Sequence, residues 1–216
     1  MTLTLELDDR TKKLAKRLEK LDEAFFYEQL DGFFEREASR VASYIGRTKL
    51  RGSPLKRRTG ILARSTVGRG VRVNGIPGMR VGVFTGPALK YAAAQEYGAD
   101  IRPVKAKALA IPTSEVKTPA GVSRFDSPRD YPEKLHFRPF RRGNVIGGLF
   151  DSSGKLLWIL ASQVRIEGKN WLSSGVEERL PEVSRALREF IARLFESQER
   201  NRRLGRDARG RFTSGR

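Results

Sequence analysis

The chain has 216 residues, 38% of them hydrophobic, and carries 43 Lys+Arg against 25 Asp+Glu for a formal net charge of +18. That length suits one domain with extended arms, and the charge favours polyanionic partners such as nucleic acid, anionic surfaces or acidic protein faces. The absence of cysteine excludes disulfide frameworks and thiolate metal sites.

The N-terminus MTLTLELDDRTKK lacks the basic-then-apolar order of a signal peptide. No apolar run approaches the roughly 20 residues that span a bilayer. A protein assembled in the cytoplasm, with no membrane partner, is expected.

Residues 1–21 read as an N-terminal arm, with Leu14, Leu18 and Leu21 at helical spacing from Thr11 onward. A main domain is expected over 22–197. Asp22 can cap its first helix, whose apolar positions are Phe25, Leu30, Phe33, Phe34, Val41 and Ile45, with Gly46 as the stop. The segment from Arg47 to Gly70 carries eight Lys/Arg and no acid. It reads as a solvated face or a polyanion contact, with Arg47, Lys49, Arg51, Lys56, Arg57 and Arg58 as the candidate contacts.

Thr59 can cap a short helix, TGILARS. The strands GVRVN and MRVGVF follow, joined by a GIPG turn, with Val71, Val73, Val81 and Val83 on one buried face. The helix LKYAAAQEY then stops at Gly98. A basic loop leads from it into the short strand LAIP. Lys117–Glu133 is rich in Pro, Gly, Ser and charge and reads as an exposed loop or flexible arm.

Strand patterns return in KLHFRPF, VIGGLFD and KLLWILASQV, with Ser153-Gly154 as the hairpin tip between the last two, and RIEGKNWL leads out of the sheet. The last helix steps through Val176, Leu180, Val183, Leu187, Phe190, Ile191 and Leu194. Ser174 and Glu177 form a capping-box pattern, and Pro181 marks a kink or a true start. Residues 198–216 are expected to be a flexible basic arm, with Arg202, Arg203, Arg206, Arg209 and Arg211 as further polyanion contacts. The class is α+β: an antiparallel sheet carrying N-terminal helices and a long C-terminal helix, with an extended loop and a basic C-terminal arm.

Catalytic signals are sparse. His136 is the only histidine and cannot form a His-based metal site or a triad alone. Asp100 followed by Glu115 and Lys117 is the one arrangement with the residue types of a Mg²⁺-dependent nuclease, but Pro112 interrupts the strand before Glu115. Tyr91 and Tyr97 sit six apart and point to different sides of a short helix. Glu96 beside small alanines reads as part of a structural corner, where it is a candidate to pair with an arginine.

Four motifs occur in order: RTGILARS, YAAAQEYG, IRPVKAKALAIP and KNWLSSGVEERLPEV. Together they resemble the tail-completion, or neck, proteins of long-tailed double-stranded DNA phages, across roughly Arg47 to Leu194. The matching positions are Thr59, Gly60, Leu62 and Ser65, then Tyr91, Ala92, Glu96, Tyr97 and Gly98. Ile101, Pro103, Leu109, Ile111 and Pro112 follow, and then Trp171 and Leu172, where NWL stands in place of the family's more frequent Arg-Pro-Phe-Leu.

The resemblance implies a non-catalytic virion protein with no cofactor, forming a ring, commonly six-fold, at the head-proximal end of the tail. Its implied partners are its own copies, a tail-terminator or tail-tube protein, the head–tail connector or stopper proteins, and DNA in the channel. The basic segments then face either that DNA or an acidic protein surface. Two other readings remain in view, a sequence-independent nucleic-acid binder and the nuclease.

Overall fold

The computed structural model describes residues 2–5, 23–52, 54–55, 59–204 and 209–211. The helix expected over 11–20 lies outside these. Residues 2–5 of the expected N-terminal arm form a strand, β1 (Thr2–Leu5), which joins the first sheet.

The helix α1 (Glu23–Thr48) forms because its apolar residues recur at three- and four-residue steps. Phe26, Leu30, Phe33, Phe34, Ala38, Val41, Ala42 and Ile45 are all buried. Phe26 rather than Phe25 occupies the core position, and the helix runs two residues past Gly46. Each large side chain buried here contributes about 1.5–3 kcal/mol. After it come α2 (Ile61–Ser65) and the hairpin of β2 (Thr66–Val73) and β3 (Ile76–Val83).

The hairpin turn is not GIPG. It is Asn74-Gly75, both at positive φ (51° and 81°), the pair that a two-residue turn matching the strand twist demands. This fixes the register Val73↔Ile76 and Gly68↔Val81. Met79, Val81 and Val83 therefore lie on the face against α1, whereas Val71 and Val73 lie on the opposite face, contrary to the single buried face expected. Gly68 marks the closest approach: a Cβ there would stand 1.9 Å from the Ala38 carbonyl oxygen.

Next come α3 (Leu89–Tyr97), β4 (Gly98–Ile101) and β5 (Leu109–Pro112). β6 (His136–Arg142), β7 (Val145–Phe150), β8 (Leu156–Ala161), β9 (Val164–Glu167) and α4 (Trp171–Arg203) complete the chain. The class is α+β as expected, but the strands divide into three antiparallel sheets: β1-β3-β2, β4-β9 and β5-β8-β7-β6. The β7–β8 connection is the loop Asp151–Lys155, closed by the Asp151 N–H donating to the Lys155 carbonyl (3.1 Å), and is wider than a two-residue tip. α1 and α4 pack on the first sheet around one core that includes Trp171, Leu172, Val176, Val183, Leu187 and Ile191.

Residues 117–133 are not a free arm. Phe125 and Tyr131 close on Trp158 of β8, with ring centroids 6.1 and 5.6 Å away, and Val116 is buried beneath them. A capping box from Ser127 to Asp130 fixes one 3₁₀ turn within the segment. The C-terminal boundary also moves: α4 continues through Pro181 and through residues 198–203, with Gln198 buried, so that part of the expected arm is helix. Arg209 reaches back to Glu28 of α1 at 3.1 Å.

Candidate functional site

Ala88, Ala92 and Glu96 occupy one face of α3 at four-residue spacing and are all buried, Glu96 at 0% exposure. The alanines let that face come close to its neighbours and carry the carboxylate to the start of α4. There Glu96 Oε2 accepts the Leu172 N–H (2.7 Å), and Oε1 accepts the Ser173 N–H (3.0 Å) and the Ser173 hydroxyl. These N–H groups are among the four that every helix start leaves without an internal partner, and a negative charge suits that end of the helix dipole.

The partner of Glu96 is therefore a helix terminus and not an arginine. The expected Ser174/Glu177 capping box is overturned by the same geometry. α4 begins three residues earlier, at Trp171, and the Ser174 N–H already donates to the Asn170 carbonyl (3.0 Å) inside the first turn.

Around this carboxylate the backbone is drawn tight. Gly98 ends α3 at φ 84°, and its N–H donates to the Ala94 carbonyl. The Lys169 and Asn170 N–H groups donate to the carbonyls of Gln95 and Glu96 at 2.8 and 3.0 Å. Asn170, at φ 46°, turns the chain into α4. The second and fourth motifs thus meet as one structural corner, as the sequence suggested for the first of them.

The remaining motif residues converge elsewhere. Thr59, Gly60, Leu62, Tyr91, Ile111 and Pro112 line a groove of about 900 Å³, closed on one side by Lys117 and the 121–123 turn. Its wall is mainly apolar and, among the described residues, carries no carboxylate or imidazole. Thr59 accepts the Ile61 N–H at 3.4 Å, a long bond, and the α2 cap position is Gly60 at φ 72°. Tyr91 is half-buried and Tyr97 is 69% exposed, so the two tyrosines do point apart. Ala92, Trp171 and Leu172 are interior, Ile101 is exposed on β4, and Ser65, Pro103 and Leu109 are half-buried.

The basic run separates in space. Lys49 turns to α4, where its Nζ meets Glu178 Oε1 at 2.5 Å while the Tyr44 hydroxyl donates to Oε2 at 2.8 Å. The Lys49 hydrogen bond first, and the Tyr44 one second, hold the Glu178 carboxyl below its ordinary range. A carboxylate depressed in the folded chain stabilises it above the unfolded pKa and loses that contribution as pH falls through the folded value. The melting temperature of Glu178→Gln should therefore lie below wild type at neutral pH, and the gap should close at acid pH. A gap that persists there would remove the ion pair as its cause.

Arg47, Arg51 and Arg64 instead surround a separate open basin of about 590 Å³ between α1, α2 and β2. Lys56, Arg57, Arg58 and Arg206 lie outside the described residues. Arg203 and Arg211 are exposed, and the backbone of Arg202 belongs to α4.

The nuclease triplet is not assembled. Asp100 is exposed on β4, which pairs with β9, while Glu115 sits in a 3₁₀ turn beyond β5 and is ion-paired with Lys155 at 2.5 Å. Among the described residues no group of three His, Cys, Asp or Glu side chains could hold a metal ion. His136 is exposed on the edge strand β6. Among those residues no helix is long and apolar enough to cross a membrane.

No family model matches the chain, and neither curated proteins nor solved structures yield a match.

Proposed function

We propose that the protein is a structural subunit of a phage neck that assembles head-to-tail into a ring, six-fold in this reading, at the head-proximal end of the tail. The ring completes the tail and joins it to the head around the DNA channel. Its partners are its own copies, the tail-terminator or tail-tube protein and the connector or stopper proteins.

The supporting observation is the groove. Residues from three of the motifs resembling neck proteins line one mainly apolar surface whose described wall holds Tyr91 and Lys117 but no carboxylate or imidazole to work with them. Such a wall suits an apolar insert from a neighbouring subunit better than a reacting substrate. A head-to-tail ring needs two unlike surfaces per subunit. The second is offered by β6, where Phe137 and Phe140 are 54% and 40% exposed.

Electron microscopy of particles assembled without this gene product tests the reading. Filled heads accumulating apart from tails, or tails with defective ends, are expected. Normal joined particles would overturn it.

A further inference from the structure

We infer that the basin bounded by Arg47, Arg51 and Arg64 is a binding site for the sugar–phosphate backbone of nucleic acid, independent of base sequence. The inference goes beyond the ring reading and holds whether or not the subunits close into a ring.

The basin is positive because three arginines line it, while Asp31, Glu35 and Glu37 of α1 turn to other partners. Asp31 pairs with Arg72, the Glu35 carboxylate accepts the Gly70 N–H, and Glu37 pairs with Arg40. Glu178 is held by Lys49 and Tyr44. Among the described residues no carboxylate lines the basin, and none pairs with Arg51 or Arg64. The Arg47 Nε–H donates to the Ser43 carbonyl at 3.3 Å, and among the described residues its terminal N–H groups are left to turn to a ligand.

The wall is built of donors. Ser39 and Ser43 stand one turn apart on α1 and add two hydroxyl-bearing side chains to the lining that holds the three arginines. Guanidinium forks and hydroxyls match an oxyanion with several acceptor oxygens, and arginine is the side chain best shaped for phosphate. The floor is small, with Gly46, Ala42, Ala63 and Gly68, so a ligand can come close to the backbone.

Two absences in the wall decide between ligand classes. Among the described residues there is no aromatic ring for a base to stack on, so the contact reads the backbone and not the sequence. There is also no large apolar side chain to form the anchored centre that protein interfaces are built around, which disfavours an acidic protein face.

The test is a fluorescence-anisotropy titration of the full chain against a short labelled duplex of random sequence, across about 50 to 200 mM salt. The double variant R51Q/R64Q removes two exposed charges from the basin, and R138Q/R141Q removes two from β6. Each phosphate contact contributes about 0.9 to the slope of log affinity against log salt, so R51Q/R64Q should flatten the slope by about two. R138Q/R141Q should leave it unchanged.

An equal flattening in both variants would reduce the effect to net charge and overturn the site. So would a wild-type protein that fails to bind at about 100 mM salt, or one that binds polyglutamate as tightly as the duplex. Light scattering on the same samples reads the oligomeric state separately. A variant that keeps its mass and loses DNA fails in the basin and not in assembly.

Discussion

Glu96→Ala should cost roughly 3–5 kcal/mol of unfolding free energy, the largest single-residue loss expected outside the apolar core. The substitution strips the acceptor from two backbone N–H groups at the start of a 33-residue helix, and from the Ser173 hydroxyl. A buried donor left without a partner costs about 1–3 kcal/mol, and two are orphaned together. The Cγ methylene and carboxylate removed leave a cavity at a site with no solvent access, since Glu96 is fully buried.

Glu96→Gln keeps one acceptor oxygen and should lose about half as much. Denaturant titration followed by tryptophan fluorescence suits the measurement, because Trp171 adjoins the corner and is one of only two tryptophans. An alanine variant within about 1 kcal/mol of wild type would mean that the first turn of α4 finds other partners, and the corner reading would fail.

Gly68→Ala should be the second severe change, at about 3 kcal/mol, the upper end of the usual overpacking penalty. The added methyl would stand 1.9 Å from the Ala38 oxygen and 2.2 Å from its carbonyl carbon, so it meets helix backbone and not a side chain that can swing away. Relief requires moving α1 off the sheet and loosening Met79, Val81 and Val83 with it. Gly70→Ala is the internal control. Its nearest atoms are a Glu35 carboxylate oxygen at 3.0 Å and the Glu35 nitrogen at 3.2 Å, so a smaller loss is expected. Equal denaturation midpoints for the two variants would show that helix contact at Gly68 is not the controlling feature.

The sequence conveyed the α+β class, α1, the β7–β8 strand pair and the body of α4, because their apolar residues recur at the period of the element that buries them. It misplaced what depends on distant neighbours. Glu96 caps a helix 76 residues further along, and no local pattern pairs the two. Ser174 and Glu177 carry the local signature of a cap and are preempted by that longer-range one. Phe125 and Tyr131 are two rings among prolines, glycines and charges, and no local pattern ties them to Trp158. Asn74-Gly75 carries the local signature of a two-residue turn, but the overlapping Gly-Ile-Pro-Gly stretch offers turn residues of its own and masks it. Among the cations, Lys49 and Arg51 are indistinguishable in sequence. Only packing shows that one belongs to Glu178 and the other faces open solvent.

The edge strand β6 has a consequence for how copies can meet. An outermost strand ordinarily offers its free amides and carbonyls to any passing chain and so invites runaway fibre growth. Here Pro139 removes one amide, the pairing slips between Pro139 and Arg142, and Arg138, Arg141 and Arg142 crowd the rim with like charge. Strand-by-strand continuation from one molecule to the next is thereby discouraged, while the two phenylalanine rings stay presented. Contacts made there must be side chain to side chain. In the proposed ring such contacts would set the angle between neighbours, and that angle decides whether an assembly closes.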